Sequence, residues 1–172
     1  FVTVLIHELA HALVARRRGI EVPSITLFIF GGVSSLGRQP RTAGEEAAIA
    51  IAGPLTSFAI AGVSLGVALV GGGWEKVEGI FMYLATVNVI LGVFNLLPGF
   101  PLDGGRVLRA IAWKRSGSFR AATRTAAEVG KLFAYGLMFV GMAFLIAGFV
   151  VNGIWFLVVP YTHLTLPTIS PV

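Results

Sequence analysis

The chain has 172 residues, 56% of them hydrophobic and 12% charged, with a formal net charge of +5; its mean hydropathy is +0.86. Soluble domains carry about 25% charged residues, so a water-solvated globule is excluded. There is no cysteine, so redox compartment is not encoded in the chain.

Phe1 opens what reads as the middle of an apolar helix, residues 1–15, with no initiator Met, basic leader or cleavage pattern. A span that starts inside itself is expected to be truncated. Residues 24–30, SITLFIF, are β-prone, and Gly31-Gly32 followed by residues 33–36 supplies a turn and a short return strand, which together predict a hairpin. Three stretches without a charged side chain follow, residues 47–74, 79–102 and 132–172. Each exceeds the roughly 20 residues a spanning helix needs.

Across the end of the second run, residues 95–105 read NLLPGFPLDGG, where Pro98, Gly99, Pro101 and the paired glycines cannot continue a helix. Non-helical backbone at membrane depth is tolerated where protein buries it or it lines a watery cavity, so a site is expected there. A further helix is expected over 132–149, a turn at Asn152 and Gly153, and a last helix from about Ile154. Residues 160–172 carry three prolines, Pro160 included, and no helical periodicity. The expected fold class is an all-α polytopic membrane protein of about five transmembrane helices, the first truncated, with a small membrane-associated β-hairpin. Residues 1–159 form one core and 160–172 a non-native-looking tail outside it.

Lys and Arg accumulate in cytoplasmic loops. Arg16, Arg17, Arg18, Arg38 and Arg41 follow the first span, and Arg106, Arg109, Lys114, Arg115, Arg120, Arg124 and Lys131 follow the third, which leaves Lys76 alone between them. The loop around residues 71–79 is therefore expected outside, and the ends of the spans near Arg16 and Arg106 at the cytoplasmic face.

H-E-L-A-H, from His7 to His11, places two imidazoles at i and i+4, about 40° apart around a helix and one turn apart along it. That spacing suits two positions of a tetrahedral zinc site. Glu8, about 100° round the same helix, is placed to take a proton from a metal-activated water rather than to bind metal. Packed interfacial histidines with a snorkelling carboxylate are the bland alternative, and the functional default for ionisable groups inside spans weighs against it. A zinc site needs a third protein ligand with the fourth position left open. Asp103 is the only aspartate and lies at the same expected depth, although Asp-Gly is also a turn signal. Glu45 and Glu46 sit where they would complement a helix dipole, and His163 lies in the tail.

HELAH, the IAGP of residues 51–54 and NLLPGFPLDGG together resemble the site-2 protease family of intramembrane metalloproteases, most closely its prokaryotic branch. The resemblance implies that His7, His11 and Asp103 bind one zinc per chain, that Glu8 is the catalytic base and that Asn95 lies at the active site. It also implies that the hairpin binds unwound substrate, that a further span precedes the HELAH helix, and that some members add cytosolic domains.

The expected activity is zinc-dependent endopeptidase cleavage within or near transmembrane segments, in a multi-pass cell-membrane protein whose site lies near the cytoplasmic face. Its expected partners are the lipid bilayer and a transmembrane protein substrate, with no nucleic acid and self-association left open. Two other readings compete. A non-proteolytic zinc-binding protein or transporter would repeat its ligands at several depths, and a serine-type intramembrane protease would need a histidine outside H-E-x-x-H and the tail.

Overall fold

A computed structural model describes residues 2–28, 31–35, 37–70, 74–100 and 102–165, with side chains described outside 25–36 and 159–172. The order of elements is α1 (Val2–Arg17), β1 (Ser24–Phe28), β2 (Gly31–Ser35), α2 (Ala43–Val70), α3 (Glu75–Asn95), α4 (Asp103–Ser116), α5 (Phe119–Ile146) and α6 (Val150–Thr165). They fall into two compact units, Phe1–Leu97 and Pro98–Val172. Three described helices, α2, α3 and α5, are long and apolar enough to cross a membrane.

In the first unit α1 is inside out. His7, Glu8, His11, Ala12 and Ala15 form its buried face, while Leu5, Ile6, Leu9 and Leu13 are exposed. Leucines face outward at low cost only where the surroundings are hydrocarbon. The helix ends at Gly19, whose φ of +70° only glycine adopts freely. Gly19 N–H donates to the Arg16 carbonyl and Ile20 N–H to that of Ala15, the paired bonds of a Schellman stop. Ile20 thereby joins Ala15 and Ile49 in a small apolar cluster.

β1 and β2 pair antiparallel, Ser24 opposite Ser35 and Phe28 opposite Gly31. Gly31 and Gly32, read from sequence as the turn, are paired residues of β2, and the connection at 29–30 lies outside the described residues. Thr42 starts α2 by accepting from Glu45 N–H at 3.1 Å, and the Glu45 carboxylate accepts from Arg41 N–H at 2.8 Å. Both bonds satisfy donors that a helix start leaves over.

Helices α2 and α3 pack through small side chains. Ser57, Ala61, Ser64 and Ala68 repeat every three or four residues on the buried side of α2, and Ala85, Asn88 and Gly92 do so on α3. A Cβ at Gly92 would come within 2.9 Å of the Phe58 ring. A Cβ at Gly62 or Gly66, whose GxxxG spacing would suit a helix contact, would meet nothing within 4 Å; the contact runs along a neighbouring face.

The second unit opens on an irregular stretch, residues 96–102, and then α4 begins at Asp103. This helix is not anticipated by apolar run length, because it is short and carries Arg106, Arg109, Lys114 and Arg115. Gly104 and Gly105, read as helix breakers, lie inside it. Gly105 has a packing reason: a Cβ there would sit 2.8 Å from the Gly99 carbonyl carbon and the Phe100 nitrogen. Gly130 of α5 lies against the same loop, its would-be Cβ 3.3 Å from Gly99 Cα.

α5 starts at Phe119, thirteen residues before the expected boundary, with Ser118 capping it through Ala121 N–H. It stops at Gly148, φ +85°, where Phe149 N–H reaches the Phe144 carbonyl and the two rings meet at 6.0 Å. The turn expected at Asn152 and Gly153 is therefore five residues earlier. Gly153 instead lies within α6, where α5 and α6 cross at glycines: a Cβ on Gly141 would fall 3.0 Å from the Gly153 carbonyl oxygen and 2.9 Å from Phe156 Cβ. α6 continues through Pro160 to Thr165, into the segment read as lying outside the core.

Gly141 and Gly136 make a matched test of that crossing, because Gly136 meets nothing within 4 Å. Gly141→Ala should cost about 1–3 kcal/mol by overpacking, whereas Gly136→Ala should be neutral or stabilise by up to roughly 1 kcal/mol through helix propensity. Thermal melting of both variants in one detergent checks the sign of each.

Candidate metal centre

α1 carries His7 and His11 on its buried face, at most 4% exposed, with Glu8 beside them at 8%. Their rings lie edge to face, centroids 4.9 Å apart and planes at 72°. Adjacent turns of one helix bring the rings together, and α2 orients them. His11 Nδ1 donates to the Ile49 carbonyl at 2.7 Å. A carbonyl only accepts, so the neutral ring has its proton on Nδ1 and its lone pair on Nε2. His7 Nδ1 shares a hydrogen bond with Ser57 Oγ at 2.9 Å, with Ser57 fully buried. Histidines that bind metal are held in this way, one ring nitrogen on a protein partner and the other on the ion.

Between the two partners on α2 lies Gly53. A Cβ built there would collide with Nε2 of both His7 and His11, so the two Nε2 atoms face one spot that only a glycine leaves open. Pro54 follows it inside the helix; lacking an N–H, it removes the helical bond that would end on Ala50. The donor chemistry fits zinc: two neutral imidazole nitrogens directed at a common notch, each ring fixed through its far nitrogen.

Asp103 belongs to the second unit, where it is the first residue of α4 and is buried. Its position at a helix start places a carboxylate where the dipole favours one. Asn95 is the last residue of α3, half-buried, with one amide hydrogen donated back to the Leu91 carbonyl at 3.0 Å; the second amide hydrogen is its remaining donor. Glu46, read from sequence as a dipole partner, lies in the first turn of α2 and is fully buried. Sequence reasoning met Gly53 only as part of the IAGP motif, with no role assigned, and did not single out Ser57 or the Ile49 carbonyl. The signal for Gly53 was there, a Gly-Pro pair inside an otherwise helical apolar run.

Gly53→Ala should push both rings aside, and Ser57→Ala should release one. Each should weaken zinc binding by about 10–100-fold, with Gly53→Ala the worse because it displaces both nitrogens. Competition against a fluorescent zinc chelator reads the affinities, and helicity by circular dichroism shows that the variants still fold.

The sequence model of peptidase family M50 matches residues 1–74 and 73–140. The chain is 46% identical over 156 residues to a protein of Mycobacterium tuberculosis named as a zinc metalloprotease, Rip3, covering 89% of this chain and 40% of the relative. It is 39% identical over 145 residues to a zinc metalloprotease of Methanocaldococcus jannaschii, covering 83% of this chain and 41% of that one. The chain thus spans about two fifths of the length of these relatives. Among solved structures, a site-2 protease from Methanocaldococcus jannaschii superposes with a TM-score of 0.69 at 32% identity, over 100% of this chain and 78% of the other.

Proposed function

The chain belongs to peptidase family M50, and from that premise we propose that it is the catalytic part of a zinc-dependent intramembrane endopeptidase. The observation that carries the proposal is the notch at Gly53, which both histidine Nε2 atoms of the H-E-x-x-H helix face. Asp103 is the third ligand in this reading. His7, His11 and Asp103 are each buried, and two imidazoles with one carboxylate are a known zinc donor set that leaves a position open.

When bound, zinc supplies Lewis acidity toward a scissile carbonyl and an attacking water. The chain's own groups do the rest. Glu8, buried one residue from His7, accepts the proton of the attacking water and returns it to the leaving amine. Asn95 offers its second amide hydrogen to the substrate or to the developing oxyanion. In a two-stranded sheet each strand keeps one edge, and an unwound substrate segment adds to such an edge by strand pairing. Unwinding is required because a helical substrate keeps its carbonyls in its own hydrogen bonds.

The substrates are transmembrane proteins cut within or near a span, in a cell membrane that this chain crosses several times. The basic loops after α1 and α3 support a site that faces the cytoplasm. Tags beside Arg18 and Lys114 should then resist an external labelling reagent while one beside Glu75 reacts; labelling of the first two from outside reverses the orientation.

Glu8→Gln should keep zinc and lose cleavage of a reporter transmembrane substrate by at least about 100-fold, the scale of a general base. Asp103→Ala should lose zinc and cleavage together. Metal content and cleavage measured on the same preparations separate the two roles. Wild-type cleavage by the Gln variant removes Glu8 as base, and full zinc occupancy in the Ala variant removes Asp103 as ligand.

A further inference from the structure

The corner between α4 and α5 concentrates the charge of the molecule. From Asp103 to Lys131 there are seven basic residues and two acidic ones, a local charge of +5 equal to the formal charge of the whole chain. Lys114, Arg115, Arg120 and Arg124 flank the turn and are all exposed. None of the four forms an ion pair among the described residues, where the pairs include Arg38 with Glu45 and Lys131 with Glu128.

The corner is rigid. The Arg109 guanidinium sits 5.1 Å from the Phe100 ring centroid and 4.8 Å from that of Phe119, and Trp113 meets Phe119 edge on at 4.9 Å. Gly117, φ +69°, makes the turn between the helices. The end of α4 and the start of α5 are thereby pinned together, and the four cations surround the joint.

Helical spacing ties this cluster to lipid. Arg120 and Arg124 stand four residues apart, and the same stripe continues through Glu128 and Lys131 to Tyr135, Phe139, Met142 and Ile146, all exposed. The apolar half of the stripe has hydrocarbon as its surroundings, because α5 is a candidate membrane span. Counting back from Ile146 the roughly 20 residues that cross a bilayer core ends near Ala127. Arg124 then lies about one turn beyond the hydrocarbon and Arg120 about two, at 1.5 Å per residue. Arg124 is thus in the headgroup layer, and Arg120, about 10 Å from the hydrocarbon edge, is roughly a Debye length from that edge.

We propose that the α4–α5 corner is a binding surface for anionic phospholipid headgroups, with Lys114, Arg115, Arg120 and Arg124 as the cations that contact phosphate. Cations next to a span gain from the negative potential of an anionic leaflet, and here four of them are held by a fixed turn instead of a flexible tail. The surface stands independently of the metal site, and it sorts bilayers by charge.

Trp113 lies at the corner and is one of three tryptophans, so Trp74→Phe with Trp155→Phe leaves it as the only indole reporter. That protein, reconstituted in phosphatidylcholine vesicles doped with brominated phosphatidylglycerol or with brominated phosphatidylcholine, is read by quenching of Trp113. The anionic brominated lipid should quench several-fold more effectively at low salt, and the excess should vanish in molar salt. Each change to Gln at Lys114, Arg115, Arg120 or Arg124 should reduce the preference by up to roughly fivefold, and the quadruple variant should show none. Equal quenching by the two lipids in the parent at low salt overturns the proposal, as does an excess that survives in the quadruple variant. Tight binding of poly-glutamate or RNA in pure phosphatidylcholine vesicles, with no excess quenching by the anionic lipid, also overturns it, in favour of a soluble partner.

Discussion

Two imidazoles one turn apart on α1 can aim the same ring nitrogen at one spot only where the neighbouring helix leaves room, and α2 leaves room at Gly53. Around that position α2 provides what the rings need in addition, the Ile49 carbonyl for His11 and the Ser57 hydroxyl for His7. A hydrogen bond inside a low-dielectric interior is stronger than in water and an unmade one costs more. Those two partners therefore determine the ring orientations that the site depends on. Pro54, which a soluble helix interior would reject, is accommodated beside the glycine because the surrounding packing over-determines the helix.

The inside-out face of α1 follows from the same solvent argument. In water a helix with His, Glu and His inward and leucines outward would unfold or aggregate. Outward leucines suit apolar surroundings, and burial of the two histidines is supported by partners on α2. Contact between α1 and α2 is thus a polar contact wrapped in apolar surface, whereas α2 and α3 meet through Ser, Ala, Gly and Asn side chains small enough for close approach.

Glycine has a comparable part in the second unit. The loop bearing Gly99 lies between Gly105 of α4 and Gly130 of α5, so the start of α4, and with it Asp103, is set by backbone-to-backbone contact. Side chains at those positions would change where α4 begins. At the far end of α4 the arrangement reverses, with Arg109 between two phenyl rings and the cations left outside. One short helix therefore carries a buried carboxylate at its first residue and an exposed cationic rim at its last.

Composition and apolar run length were enough to show a membrane chain, because the cost of charge in hydrocarbon excludes it from long stretches. H-E-x-x-H was equally legible, since the 3.6-residue period alone puts two histidines on one helix face. Boundaries fared worse wherever glycine or charge was taken as punctuation. Gly104, Gly105 and Gly153 lie inside helices, the last two at close contacts, Arg120 and Arg124 lie in the first turns of α5, and α4 escaped notice because its sequence is not apolar. Which nitrogen of each histidine faces the notch, and that Gly53 makes the notch, depended on contacts between residues 38 to 50 positions apart. Local periodicity can place a side chain on a helix face, but only the packing of one helix on another decides what that face meets.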